Sequence, residues 1–202
     1  MNSKPNIILD LDQTLISAEP YDKYDFEKYS NRAKMFDFTD MNGYYIVFHR
    51  PHLQGFLDFV FENFNVSIWT AATKSYALYI INNIILKDHK ERKIDWVFFS
   101  YHCGISEKKK GGTKNLKSLW SVFKLKNYNE KNTIIIDDYE AVYETQKDNC
   151  VFAKPFKFME KDSYKDEFLL ELEPLLYKMK DKIKKGESKP AKVVNKGLKK
   201  LK

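Results

Sequence analysis

Two pairs of aspartates follow short apolar runs in this sequence. Asp10 and Asp12 come after Ile-Ile-Leu, and Asp137 and Asp138 come after Ile-Ile-Ile. Such runs are typical of strands buried on both faces of a parallel sheet, and ligands bind beyond the carboxyl ends of those strands. Carboxylates gathered at one edge raise each other's pKa values unless a cation compensates them. Mg²⁺ prefers oxygen ligands and bridges to phosphate, so it is the cation that we expect. The alternative is that the acids only form polar turns.

Two further residues lie between these pairs. Thr70 follows a third short run, Val66–Trp69, and Lys114 precedes a predicted helix. A hydroxyl donor and a cation at the same sheet edge would bind the oxygens of an anion. Each residue also has a structural alternative. A threonine after a strand often caps the next helix, and Lys114 stands close to other lysines, including Lys109 and Lys110.

The order of the remaining patterns predicts how these residues are positioned. Apolar runs of strand length alternate with stretches of helical periodicity, which is the pattern of an α/β fold with a doubly wound parallel sheet (Rossmann-like). A β-hairpin is predicted after the first strand, because Asn42-Gly43 separates two runs of β-forming residues. Residues 16–32 are predicted to be a loop or partial helix over the site. Residues 88–113 break the alternation and are predicted to form a small β insert.

The C-terminal part begins with helix patterns and then loses them. A capping box at 163–166 is predicted to precede an amphipathic helix that Pro174 interrupts. From Gly186 onward, Gly, Pro, Ser, Asn and Lys dominate, which is typical of a flexible segment. We therefore predict one domain at 1–180 and a flexible lysine-rich tail at 181–202.

The positive charge of the chain is concentrated in this tail. The net charge of the whole chain is +7, and residues 178–202 contain eleven lysines against Asp181 and Glu187. The rest of the chain is therefore close to neutral. A weak contact of the tail with a polyanion is one interpretation, and a solvated tail without a partner is the interpretation that we favour.

Composition also bears on where the protein works. No apolar run approaches the ~20 residues that cross a membrane, and the polar N-terminal residues do not resemble a signal peptide. The two cysteines, Cys103 and Cys150, lack a metal-ligand spacing, which is typical of buried thiols in a reducing compartment. We expect an intracellular protein, nuclear or cytoplasmic, that is not secreted and has no membrane partner.

The sequence resembles the FCP/SCP-like branch of the haloacid-dehalogenase (HAD) phosphatases over residues 5–180. The letters DLDQT at 10–14 match the DxDxT signature of the superfamily, and RPH at 50–52, WTAA at 69–72 and KNL at 114–116 resemble further motifs of the branch. The resemblance implies a HAD-like fold and a Mg²⁺-dependent phosphatase that acts on phosphorylated proteins or peptides. Members of the branch dephosphorylate the C-terminal domain (CTD) of RNA polymerase II.

The resemblance also implies roles for the reacting groups. Asp10 would be the nucleophile that forms an aspartyl-phosphate. Asp12 would be the general acid and base, and its main-chain carbonyl would bind the metal. Thr70 and Lys114 would bind phosphate oxygens and stabilise charge on the transferring group.

The remaining roles concern the metal and the substrate. Asp137 and Asp138 would hold Mg²⁺ together with Asp10 and Asp12. Asp138 stands where close relatives often have Asn, which adds negative charge. Gln13 stands where the family often has Glu, and we expect this to be tolerated. Arg50 would either face the substrate or form a structural ion pair.

Three functions remain compatible with these residues. The first is a phosphoprotein phosphatase for serine and threonine phosphates, including CTD-like peptides. The second is a phosphatase of the same mechanism for nucleic-acid ends or small phosphate esters. The third is a binding module that kept the fold and lost catalysis, and the intact pair Asp10 and Asp12 argues against it.

Overall fold

The computed structural model describes residues 4–108 and 113–201. In this part of the chain the strands are β1 (Asn6–Leu9), β2 (Ile16–Pro20), β3 (Phe38–Asp40), β4 (Tyr45–His49), β5 (Asn65–Trp69), β6 (Ile94–Phe98), β7 (Thr133–Asp137) and β8 (Cys150–Phe152). The α-helices are α1 (Phe26–Ala33), α2 (Leu53–Asn63), α3 (Lys74–Ile80), α4 (Ser100–Lys108), α5 (Lys117–Ser121), α6 (Glu140–Thr145), α7 (Phe168–Lys184) and α8 (Ala191–Leu198). None of these described helices is both long and apolar enough to cross a membrane.

Five strands of the described chain form a parallel central sheet in the order β6-β5-β1-β7-β8. Leu9 of β1 lies opposite Ile68 of β5 and Ile136 of β7. Successive side chains of a strand point to opposite faces, so Ile7 and Leu9 pack with residues of α2 and α7, whereas Ile8 packs with residues of α5 and α6. Helices cover both faces, and the predicted α/β fold with a doubly wound parallel sheet is confirmed.

A smaller antiparallel sheet, in the order β2-β4-β3, follows the first strand. The predicted hairpin is confirmed as β3 and β4. Asn42 and Gly43 both have positive φ at its turn, and the Gly43 N–H donates to Asp40 Oδ1 at 2.8 Å. The prediction of a loop or partial helix at 16–32 was incomplete, because Ile16–Pro20 forms β2 and α1 follows. Ile16 pairs with His49, and a partner so distant in sequence leaves no local pattern.

The predicted small β insert at 88–113 is not a separate element. Ile94–Phe98 is strand β6, which pairs in parallel with β5 and extends the central sheet, and α4 follows it. Asp95 and Trp96 are exposed because β6 is an edge strand, so the stretch lacks the continuous apolar run of β1 or β7. The end of the predicted insert, residues 109–112, lies outside the described residues.

The C-terminal region is more regular than predicted. Pro174 lies inside α7 without ending it, on the solvent-exposed side of the helix. The predicted flexible tail at 181–202 contains the last turn of α7 and the whole of α8, in which Ala191 and Val194 are fully buried. Only these two small side chains of α8 are fully buried, and they stand among lysines in the sequence. The sequence was therefore interpreted as a flexible segment rather than as a helix.

Candidate active site

The acidic residues singled out in the sequence lie together at the carboxyl edge of the central sheet. Asp10 follows β1, Thr70 follows β5, and Asp137 is the last residue of β7. These three strands are adjacent in the sheet. All the predicted polar residues except Arg50 line one cavity of about 480 Å³ at this edge: Asp10, Asp12, Thr70, Lys114, Asp137 and Asp138.

Lys114 is the buried cation of this cavity. Its Nζ donates to Asp10 Oδ1 at 2.6 Å and to Asp137 Oδ2 at 2.7 Å. Burial lowers the pKa of an ammonium group, but the charges of the two carboxylates outweigh it and raise the pKa of Lys114. Lys114 therefore stays charged and compensates part of the negative charge around it.

The main chain at Lys114 is held by a residue that the sequence analysis missed. Lys114 has a φ of 50°, in the left-handed region. The Gln146 Nε2 donates to the Lys114 carbonyl at 2.9 Å, and its Oε1 accepts from the Leu116 N–H at 3.0 Å. These two hydrogen bonds fix the turn that points the lysine at the acids.

Thr14, the threonine of the DLDQT motif, joins two of the carboxylates. Its Oγ1 lies 3.2 Å from Asp10 Oδ2 and 3.2 Å from Asp138 Oδ1. A hydroxyl has one hydrogen, so it donates to one carboxylate at a time. Thr14 is fully buried, and its place in the motif did not by itself predict this role.

Asp12 has a different environment from the other acids. The Tyr76 hydroxyl donates to Asp12 Oδ1 at 2.5 Å. Burial raises the pKa of Asp12 from 3.8 to about 6, the hydrogen bond from Tyr76 opposes this rise, and the charge of Asp10 adds to it. A carboxyl group with a pKa close to neutral is suited to give and take a proton. No pattern in the sequence predicted this contact of Tyr76, because its partner is 64 residues away.

Asp10, Asp137 and Asp138 form a group that fits a divalent cation. One carboxylate oxygen from each lies within 4.8 Å of the others. Burial and the charge of Asp10 raise the pKa values of Asp137 and Asp138, as expected where carboxylates are crowded. Hard oxygen donors of this kind suit Mg²⁺. The contribution of Asp12 to the metal through its main-chain carbonyl stays a prediction.

Thr70 is buried at the wall of the cavity. Its Oγ1 accepts a hydrogen bond from the Ala72 N–H at 3.1 Å, which stabilises the turn after β5. A hydroxyl that accepts still has its own hydrogen to donate. The structural and the phosphate-binding roles considered for Thr70 are therefore compatible with each other.

Arg50 does not line the cavity, and the alternative of a structural ion pair is the one that its contacts support. Its Nε and Nη2 donate to the two carboxylate oxygens of Asp166 at 2.8 and 2.9 Å, and its Nη1 donates to the Thr14 carbonyl at 2.9 Å. The guanidinium is buried and each of its nitrogens is used within the protein. The predicted capping box at 163–166 was wrong for a related reason, since Asp166 pairs with Arg50 and α7 begins only at Phe168.

Known proteins resemble this chain over most of its length. The family model described as NLI interacting factor-like phosphatase matches residues 5–186. A CTD phosphatase-like protein, 355R, of Invertebrate iridescent virus 6 is 50% identical over 175 residues, which cover 85% of this chain and 96% of that protein. The 355R protein of Invertebrate iridescent virus 3 is 39% identical over 181 residues, which cover 87% of this chain and 96% of that protein.

Solved structures share the fold. Fcp1, an essential RNA polymerase II CTD phosphatase, has a TM-score of 0.52 and 22% identity, over 76% of this chain and 42% of that one. Fission yeast Fcp1-R271A bound to beryllium fluoride has a TM-score of 0.52 and 17% identity, over 97% of this chain and 62% of that one. This chain thus spans less than two thirds of either Fcp1 chain, and the likeness concerns the fold. Because the family model covers most of the sequence, the chain belongs to the NLI interacting factor-like phosphatases.

Proposed function

We propose that this chain is a Mg²⁺-dependent phosphoprotein phosphatase that removes phosphate from serine or threonine through an aspartyl-phosphate on Asp10. The observation that carries the proposal is the contrast between two carboxyl groups in one cavity. Asp10 accepts a hydrogen bond from the Lys114 ammonium, whereas Asp12 has a pKa of about 6 and accepts one from Tyr76. Environments that differ in this way suit a nucleophile and a general acid–base.

The reaction would proceed in two displacements. In the first, an Asp10 oxygen attacks phosphorus, the bond from phosphorus to the serine or threonine oxygen breaks, and Asp12 protonates the leaving oxygen. In the second, water attacks the phosphorus of the aspartyl-phosphate while Asp12 accepts a proton from it. The bond between Asp10 and phosphorus then breaks, so phosphate leaves and the Asp10 carboxylate is regenerated.

The other residues of the cavity would stabilise the negative charge of the phosphate and bind the metal. Lys114 and Thr70 would donate hydrogen bonds to the non-bridging phosphate oxygens and stabilise the charge that develops on them. Asp137 and Asp138, with Asp10 and the main-chain carbonyl of Asp12, would hold Mg²⁺. When bound, Mg²⁺ supplies positive charge that offsets the repulsion between the phosphate and the carboxylates.

A second cavity beside Asp12 supports a peptide as the substrate. It has a volume of about 590 Å³, and Asp12 and Tyr76 form part of its wall. Met41 and Tyr44 of the turn between β3 and β4, with Tyr45 of β4, complete much of its apolar lining. An apolar or aromatic side chain next to the phosphorylated residue would bury its surface there. The names of the viral relatives, CTD phosphatase-like proteins, are in keeping with a CTD-like phosphopeptide.

A comparison of substrates and metals tests the proposal. We expect Mg²⁺ to restore activity that a chelator abolishes. We also expect a phosphoserine peptide with a neighbouring apolar residue to be turned over with a higher kcat/KM than a 3′-phosphorylated oligonucleotide. Met41→Ala should lower kcat/KM for that peptide several-fold and leave an aryl phosphate, which is too small to span both cavities, unaffected. Full activity in excess chelator, or faster turnover of the oligonucleotide, would contradict the proposal.

A further inference from the structure

We propose that the lysine-rich surface of α7 and α8 binds the phosphate backbone of double-stranded nucleic acid. This surface is not part of either cavity described above, and the inference does not depend on the catalytic mechanism. We define the lysine surface as the exposed lysines of the last two turns of α7, the turn after it, and α8 with its C-terminal end: Lys178, Lys184, Lys185, Lys192, Lys196, Lys199 and Lys200.

The lysines of α8 form one stripe. Lys192, Lys196 and Lys199 are spaced four and three residues apart, so they lie on the same side of the helix. The stripe extends for roughly 10 Å along the axis at 1.5 Å per residue. The opposite side carries Ala191 and Val194, both fully buried. The amphipathic helix thus turns its apolar side to the protein, and its two exposed residues, Lys192 and Lys196, are both lysines.

α8 is fixed to the body of the protein rather than attached through a flexible tether. The Asn195 Nδ2 donates to the Cys150 carbonyl at 2.8 Å, and the Phe152 N–H donates to Asn195 Oδ1 at 3.2 Å. The Ala191 N–H donates to the Asp148 carbonyl at 2.9 Å. Folding has therefore already positioned the lysines, and less conformational entropy would be lost when a ligand binds.

Acidic neighbours compensate little of this charge. Lys182 pairs with Glu187 at 2.6 Å and Lys189 pairs with Asp148 at 2.9 Å. Within the described part of the chain, no ion pair involves a member of the lysine surface. The pKa of Lys180 is lowered, first by burial and then by the charge of Lys184, which reflects the crowding of positive charge at the end of α7.

The chemistry of the surface favours duplex nucleic acid over other anionic partners. An interfacial membrane helix needs an apolar side that can enter the lipid, and that side of α8 is already buried. Single strands are held by aromatic stacking platforms, and protein interfaces by aromatic or aliphatic anchors. The exposed side of α8 offers neither, and Tyr177 and Leu201, which border the lysine surface, are single exposed side chains rather than a stacking platform or a buried anchor. A stripe of cations along one helix suits the regular, dense phosphates of a duplex, bound without sequence preference.

Fluorescence anisotropy with a labelled 20-base-pair duplex of mixed sequence tests the proposal on the full-length protein. We expect binding at 50 mM salt that weakens steeply towards 200 mM. If three lysines contact phosphates, log K should fall against log salt with a slope of about −3. Binding that does not change with salt would overturn the proposal.

Matched variants distinguish binding by the lysine stripe of α8 from a general effect of the net charge of the protein. Replacement of Lys192, Lys196 and Lys199 by Gln should weaken binding about tenfold or more at 50 mM salt and bring the slope closer to zero by about 2–3. Replacement of the same three by Arg should retain binding. The control replaces Lys23, Lys126 and Lys131, which are exposed elsewhere, by Gln and should change affinity less than threefold. An equal loss in the control, or wild-type affinity in the stripe variant, would overturn the proposal.

Competition identifies the class of partner. Three competitors are added separately to the complex with the labelled duplex, at equal charge concentration. They are vesicles of anionic lipid, polyglutamate, and a single-stranded oligonucleotide. We expect unlabelled duplex to be the strongest competitor. Stronger competition by any of the other three would overturn the assignment to duplex nucleic acid.

Discussion

Asp10 and Asp12 are two residues apart, yet their carboxyl groups have different partners. Asp10 contacts the Lys114 ammonium and the Thr14 hydroxyl, whereas Asp12 contacts the Tyr76 phenol. The side chains diverge because they follow the end of a strand, where the chain turns towards β2. Substitution of one residue should therefore affect a different chemical step from substitution of the other.

The first prediction separates the two roles. Asp10→Asn removes the carboxylate that we propose as the nucleophile and should eliminate both turnover and any covalent phosphate. Asp12→Asn keeps that carboxylate and removes the proposed proton donor and acceptor, so we expect turnover to fall by about 10²–10⁴-fold. With an aryl phosphate, whose leaving group needs little protonation, a phospho-enzyme should accumulate in Asp12→Asn. Mass spectrometry after a rapid quench detects it. Covalent phosphate in Asp10→Asn, or attached to another residue, would contradict the mechanism.

The second prediction concerns Arg50 and Asp166, whose ion pair has a buried guanidinium. Asp166→Asn leaves that guanidinium without a counter-charge, and we expect a loss of about 3–5 kcal/mol in the free energy of unfolding. The KM for an aryl phosphate should not change, because Asp166 lies outside the active-site cavity. Chemical denaturation and steady-state kinetics provide the two measurements.

The control for this ion pair is Asp58→Asn. Asp58 pairs with Arg92 at 2.6 Å, but its side chain is 60% exposed, and Arg92 also donates to Gln54 and to the Ile85 carbonyl. The Arg92 guanidinium is as buried as that of Arg50, but water solvates its exposed partner and Arg92 keeps its other hydrogen bonds, so we expect a smaller loss than in Asp166→Asn. Equal losses in the two variants would show that burial of the carboxylate does not govern the strength of these pairs.

Among the elements, α8 has a position that protects the central sheet. β8 is an edge strand, and edge strands expose backbone groups that can pair with other chains. The side chain of Asn195 occupies two of these groups, those of Cys150 and Phe152. A helix side chain thus takes the place of a further strand.

The third prediction tests the contact between α7 and α8 at Gly197. A Cβ at this position would lie 2.4 Å from Leu175 Cδ2, and Leu175 is largely buried. Gly197→Ala should therefore lose about 1–2 kcal/mol in urea unfolding, because overpacking outweighs the gain in helix propensity. Gly55→Ala in α2 meets no atom within 4 Å and should gain about 0.5–1 kcal/mol. A gain in both variants would show that α8 is not packed closely on α7.

The sequence predicted the elements whose evidence is local and missed the contacts that join distant parts of the chain. A buried strand and the acids after it are neighbours in sequence, and the ends of parallel strands lie at one edge of a sheet, so the grouping of Asp10, Asp137 and Asp138 was expected from the predicted parallel sheet. Tyr76, Gln146 and Asn195 bond to residues 64, 32 and 45 positions away. No local pattern marks such partners, because their positions depend on the packing of the whole sheet.

At the scale of the whole molecule, the two proposed sites have opposite charge and lie in different parts of the structure. The active-site cavity collects carboxylates at the carboxyl edge of the sheet, and the lysine surface lies on the last two helices. A phosphatase held on nucleic acid by the second site would meet phosphoproteins bound to the same nucleic acid at a raised effective concentration. The two sites can be tested separately, because substitutions in the lysine surface leave the cavity unchanged.

The last prediction asks whether α8 belongs to the folded domain. Deletion of residues 187–202 would uncover Leu175 and the edge of β8, and would remove the buried Val194. Each buried aliphatic side chain contributes ~1.5–3 kcal/mol, so we expect a loss of about 2–4 kcal/mol. For a domain of this size that corresponds to a fall in Tm of roughly 5–10 °C.

The control is the variant with Gln at Lys192, Lys196 and Lys199. It should lose nucleic-acid binding with a Tm within about 2 °C of wild type, because those side chains are exposed. Differential scanning calorimetry of both proteins distinguishes the outcomes. An unchanged Tm after deletion would mean that α8 adds nothing to stability, and an equal fall in the Gln variant would mean that its lysines are structural.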